Sequence, residues 1–132
     1  MKIKFHSEAL QVNNPQIIDF EAEATYEMFV DDEDKELTEY HTYQFKEPKM
    51  NESNRVEISA KKINIFAGPT TLSMVLNQKH ANSYIKVDGQ KLVLYSNLSK
   101  VDLEPKTKSF EYSLFSANDE KIGDFKISIE EL

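Results

Sequence analysis

Three histidines, His6, His41 and His80, are the side chains of this sequence that change charge nearest neutral pH. None lies two or four residues from another, so no single strand or helix presents a metal pair, and a site assembled from all three would have to be built by the fold. His41 draws the sharper reading. In LTEYHTYQF the positions Leu37, Glu39, His41, Tyr43 and Phe45 share one face of a strand, so an inward Tyr43 and Phe45 carry Glu39 and His41 inward with them. A buried Glu and His cost several kcal/mol unless they are paired or solvated, so this placement implies a polar cavity, a proton-transfer pair, or a flared rim where the strand meets water.

Arg55 is the chain's only arginine. Its planar fork suits a carboxylate or phosphate ligand, and by alternation it shares a face with Glu57, which makes an exposed pair with a glutamate the competing role. The acidic run DDEDKE at 31–36 gathers the carboxylates a hard cation wants, yet it lacks the glycine and the spaced terminal glutamate of a calcium loop and reads as a solvated hairpin tip. With glycine only at 68, 89 and 123, neither a dinucleotide fingerprint nor a phosphate loop can be written, and no G-x-S-x-G is present. Cysteine is absent, which removes disulfides, thiolate metal sites and cysteine nucleophiles. No cofactor is expected.

The elements that must position these groups are strands. IIDFEAEATYEMFV alternates Ile18, Phe20, Ala22, Ala24, Tyr26, Met28 and Val30 with Asp19, Glu21, Glu23, Thr25 and Glu27, the pattern of a strand with one wet face. Similar alternation recurs at 56–60, 63–65, 72–76, 85–87, 92–98, 110–114 and 125–129. Segments 31–36, 46–54, 67–70, 77–82 and 116–121 read as turns or loops. In NSYIKVDGQKLVLYSNL the Asp88-Gly89 pair predicts a type I′ hairpin, since that turn needs positive φ at both central residues. Short strands at regular spacing, one long strand and no convincing helix predict an all-β domain over 1–132, a single antiparallel barrel of eight to ten strands.

The 132 residues carry a formal charge of −7, and its distribution is uneven: residues 1–50 hold 12 acids and 5 bases, the remainder 11 of each. No clustered basic stretch exists to meet a phosphate backbone or an anionic bilayer, so neither nucleic acid nor membrane is expected as a partner. The opening MKIKFHSEALQVNNPQ lacks the unbroken apolar core of a signal peptide, and no run of about eighteen apolar residues occurs, so the expected compartment is the cytoplasm.

The segment NRVEISAKKINIFAGPTTLSMVLNQKHANSYIKVDGQKLVLYSNLSKVDL, residues 54–103, resembles the YwiB-like family of small bacterial proteins, and FEYSLFSANDEKIGDFKISI resembles that family's closing hairpin. The order carries the likeness: an N-R-hydrophobic-E-hydrophobic strand, a short apolar strand, an L-x-M-x-L strand and a Tyr-containing hairpin. Val87-Asp88-Gly89 stands where the family pattern has a Pro-Tyr-Gly-like tip. The resemblance implies a calycin-like, lipocalin-type barrel, encoded mainly in Firmicutes, and supplies no active-site residues.

Two functional expectations follow, with catalysis third. The first is a barrel holding a small, largely apolar ligand, with Tyr26, Met28, Glu39, His41, Tyr43 and Arg55 as candidate contacts. The second is an interaction or structural module whose acidic N-terminal face recruits a basic protein partner.

Overall fold

The computed structural model describes residues 1–11 and 14–132. Ten strands account for most of the chain. They are β1 (Lys2–Gln11), β2 (Asn14–Val30), β3 (Glu39–Glu47), β4 (Glu52–Ile58) and β5 (Lys62–Ala67), then β6 (Thr70–Val75), β7 (Lys79–Val87), β8 (Gln90–Leu103), β9 (Thr107–Phe115) and β10 (Lys121–Glu131). Each pairs antiparallel with its neighbour in sequence, and β1 pairs with β10 to close the barrel. Among the described residues there is no helix. Segment 31–38 and the turns at 59–61, 76–78 and 104–106 lie at one end, and the turns at 48–51, 68–69, 88–89 and 116–120 at the other.

Alternation dictates what fills the interior. β9 is a clean case, with Lys108, Phe110, Tyr112 and Leu114 buried between half-buried neighbours. Ile3, Tyr43, Ile58, Ile63, Leu98 and Ile129 are fully buried around them, and Phe110 and Met74 nearly so. Each such aliphatic or aromatic side chain contributes roughly 1.5–3 kcal/mol through burial. The barrel therefore carries a packed core of side chains through its middle, and the cavities of about 400, 610 and 410 Å³ open on its surface.

The Asp88-Gly89 turn takes φ of 50° and 78°, as the hairpin requires, and joins Val87 directly to its partner Gln90. Two expected loops are shorter than their composition suggests. Segment 46–54 turns only over 48–51, and the 77–82 stretch is strand from Lys79 onward. The reason in the second case is a bulge between His80 and Ser83, which lets a polar sequence pair with β8. β6 and β7 share only the pairs Thr70 with Ile85 and Thr71 with Tyr84. Past them the seam is closed by side chains: the Ser73 N–H donates to Ser83 Oγ at 3.0 Å, and Ser96 Oγ donates to the Ser73 carbonyl at 3.4 Å. Ser83 and Ser96 are buried, so these bonds satisfy a backbone that would otherwise lose its partners inside the protein.

Segment 31–38 is held down rather than loose. Asp34 accepts from Lys62 Nζ at 2.8 Å, from the Thr38 hydroxyl at 2.6 Å and from the Glu36 N–H at 3.0 Å. These bonds hold its carboxyl well below the usual range, the lysine contributing most. The segment packs beside Tyr40, which is buried on the outer wall. No helix is long and apolar enough to cross a membrane among the described residues.

Candidate functional site

At the end bearing the 104–106 turn, the inward faces of β3, β9 and β10 pass from apolar to polar residues, and that of β2 carries Tyr26 and Met28. Tyr26 pairs with Tyr43 and Met28 with His41, so these four side chains share the inner face where β2 and β3 reach the mouth. Tyr43 is fully buried, whereas Tyr26 is 39% and Met28 46% exposed, which marks the level at which the barrel opens. Opposite them, Lys108 stands one alternation beyond Phe110, and Glu131 one beyond Ile129. Together with Leu103, Glu104 and Pro105, the groups Tyr26, His41, Lys108 and Glu131 enclose a cavity of about 410 Å³.

The polar groups are organised. The Tyr26 hydroxyl and His41 Nδ1 are hydrogen-bonded at 2.7 Å. Burial lowers the His41 pKa and the Lys108 ammonium lowers it further, against a smaller opposing pull from Glu131. Burial raises the Tyr26 pKa, with Glu131 adding to it. Both shifts favour the same arrangement, a neutral phenol bonded to a neutral imidazole. The Tyr43 hydroxyl donates to Glu131 Oε1 at 3.3 Å, and burial followed by the Glu131 charge raises its pKa strongly. The Tyr26 and Tyr43 rings lie 5.1 Å apart.

Lys108 is the most unusual member. It is only 4% exposed, and its ammonium donates to the carbonyls of Glu104 and, at 3.1 Å, Pro105. No carboxylate stands within salt-bridge reach of it among the described residues. An ammonium has three donors, so the 104–106 turn uses two, and Lys108 lines the cavity with one to spare. The mouth thus combines a cationic donor, an imidazole, an acidic acceptor and the Tyr26 ring.

The remaining expected residues fall elsewhere. Glu39 shares the inner-face register with His41 but lies exposed at the rim, so His41 finds its partner in Tyr26 instead. Arg55 is on the outer wall, with Nε donating to Glu57 Oε2 at 2.8 Å, a second contact to Glu27 at 3.7 Å, and its guanidinium over the Phe29 ring. Glu57 is buried there and also accepts from Asn64 at 3.1 Å. That network ties strands together on the outside and has no contact with the mouth. His6 is also outside, bonded to Asp19 and, at 3.2 Å, to Glu8. Among the described residues no group of three metal-ligating side chains converges.

Lys108 and Glu131 are absent from the expectations, although the signal was present. Extending the inward series Phe110, Tyr112 and Leu114 back by two gives Lys108, and extending Ile127 and Ile129 forward by two gives Glu131.

A closed antiparallel barrel of ten strands with a polar mouth is thus the class of molecule this chain forms. Its fold is similar to that of the YwiB protein from Bacillus subtilis, with a TM-score of 0.63 at 14% identity over 99% of this chain and 92% of that one. No protein-family model matches the sequence, and no curated protein does.

Proposed function

We propose that the protein binds a small molecule at the barrel mouth, between Tyr26 and His41 on one side and Lys108 and Glu131 on the other. The observation that carries this reading is the buried Lys108 ammonium, held by two carbonyls in the wall of a cavity of about 410 Å³. Volume alone does not select the site, because surface cavities of about 400 and 610 Å³ exist as well. Chemistry does: a few convergent polar groups set against aromatic faces are what orient a small ligand.

The ligand class follows from the groups. An acceptor such as a carbonyl or carboxylate meets Lys108, a donor meets Glu131, and an apolar or aromatic body lies on Tyr26 and Leu103. This keeps the expectation of a ligand with substantial apolar surface and seats it at the mouth, because packed side chains occupy the middle of the barrel. The same reading takes the protein as a calycin-type barrel acting in the cytoplasm, supported by the closed antiparallel sheet and the cysteine-free sequence.

Native mass spectrometry of protein purified gently from its own host tests the proposal. A reproducible mass excess that disappears on denaturation, and is lost from Lys108→Met and Tyr26→Phe proteins that still fold, is the expected result. A native mass equal to the bare chain, with no amide shifts at the mouth in an NMR fragment screen, overturns it.

A further inference from the structure

β2 passes from one neighbour to the other along its length, with only Ala24, which also bonds Met1, engaged on both sides. β1 covers it from Asn14 to Glu23, but β3 reaches back only to Ala24, whose partner is Phe45. From residue 23 toward residue 14 the second edge of β2 has no strand beside it among the described residues. β3 diverges past Phe45 and leaves a groove of about 610 Å³, lined by Glu21, Ala22 and Glu23 on one bank and Phe45, Lys46 and Pro48 on the other.

Backbone direction makes this edge usable. The Ala24 N–H and C=O both engage Met1, on the β1 side. Along a strand these groups alternate in direction, so those of Glu23, Glu21, Asp19 and Ile17 point away from β1 into the open groove. Side chains on this stretch alternate as well. Phe20 and Ala22 face the core side, where Phe5, Phe20 and Phe45 form an aromatic cluster with centroids 4.9 to 6.0 Å apart, while Asp19, Glu21 and Glu23 face outward and are exposed.

We propose that the 14–23 edge of β2 is a docking site for an extended segment of another protein, taken up as an added strand, with Lys or Arg alternating with apolar residues. The chain itself shows the complement. On the paired side of β2, Glu23, Glu21 and Asp19 stand opposite Lys2, Lys4 and His6 of β1, a base at every second position. A strand on the open side presents side chains to the same three carboxylates, and opposite charges directly across a sheet attract. Its intervening residues fall against Phe20, Ala22 and Phe45.

A second copy of this chain does not fit the edge. Antiparallel self-pairing centred on Phe20 sets Asp19 against Glu21, and centring on Glu21 sets Asp19 against Glu23, like charges in both registers. Acids along an exposed edge keep such copies apart. They do not repel a strand that carries bases. The site is separate from the mouth and stands whether or not the mouth binds a small molecule.

The test uses the full chain and a capped, dye-labelled peptide, Lys-Val-Lys-Val-Lys-Val, followed by fluorescence anisotropy. Saturable binding that weakens with added salt is expected, with a loss of about tenfold or more in Glu21→Pro, which removes an outward N–H without breaking a bond to β1. A similar loss is expected in Glu21→Gln combined with Glu23→Gln. A peptide N-methylated at alternate residues needs no altered protein and is expected not to bind, because it cannot form the ladder. Binding that Glu21→Pro and N-methylation both leave unchanged would reduce the site to a diffuse acidic surface and overturn the proposal. Equal binding of Glu-Val-Glu-Val-Glu-Val, or a dimer that Glu21→Pro dissolves, would overturn it too.

Discussion

Two gaps in the barrel wall are built in opposite ways. Between β6 and β7 only two residue pairs form, and the rest of the seam is stitched by Ser83 and Ser96 to the backbone of Ser73. Between β2 and β3 the ladder stops at Ala24 and nothing among the described residues stitches the remainder, which is flanked instead by Asp19, Glu21 and Glu23. The first lapse is buried, so its backbone groups must find partners inside the protein or cost about 1–3 kcal/mol each. The second is wet, so water satisfies the same groups at little cost. A gap in a sheet is thus a matter of stability when it is dry and of availability when it is wet.

The sharpest way to break this contrast is Ser83→Ala. It leaves the Ser73 N–H without its acceptor in the interior, and a loss of about 1–3 kcal/mol is expected by denaturant titration. A change near zero would mean that water reaches the seam. The same seam contains a flaw whose removal gives the next largest effect. His80 stands opposite Ser96, and both its ring nitrogens are buried without a partner. Replacing it with Leu removes an unsatisfied polar ring, and a gain of about 1 kcal/mol is expected in the same measurement.

At the open edge the expected effect is smaller. Glu21→Pro removes no internal hydrogen bond, so stability within about 1 kcal/mol of the native chain is expected, against the larger loss the same residue would cause in a fully paired strand. The smallest effects concern two histidines with opposite pKa shifts. For His6, bonds to Asp19 and Glu8 raise the pKa. Its contribution is therefore present below the unfolded value near 6.5 and lost as pH rises through the raised one. For His41, burial and Lys108 depress the pKa. Its contribution is present above that unfolded value and lost as pH falls through the depressed one. Histidine NMR titrations should show the two inflections on opposite sides of about 6.5, and coincident inflections would contradict the contrast.

Much of the fold was legible because period two is a local signal. The 17–30 alternation and the Asp88-Gly89 turn each needed only their own residues. The wet rim was partly legible, since Glu39 and His41 fell on an inner face where polar groups have to meet water or a partner. What stayed hidden depends on pairs far apart in sequence. Nothing in LTEYHTYQF says that His41 bonds to Tyr26 rather than resting near Glu39, because the choice depends on the register between β2 and β3. Nor could the polar composition of 77–82 disclose a strand, because its partners are Asn97 and Ser96 of β8, far along the chain. Arg55 was legible down to its neighbour Glu57, as two residues on one face of one strand.

The order of strands around the barrel bears on how the chain reaches this state. Nine of the ten ladders join neighbours in sequence, and one, β1 with β10, joins the two ends of the series, Ile3 opposite Glu131. Hairpins assemble early because short loops cost little entropy to close, whereas that last ladder waits for the whole meander. On a ribosome β1 therefore emerges first and is the last strand to be completed on both sides. During that interval the N-terminal hairpin has two open edges, one bearing Lys2 and Lys4 and the other Glu21 and Glu23. Closure with β10 covers the basic edge and leaves the acidic one, so the sign of the exposed sheet edge changes only when the last strand has been added.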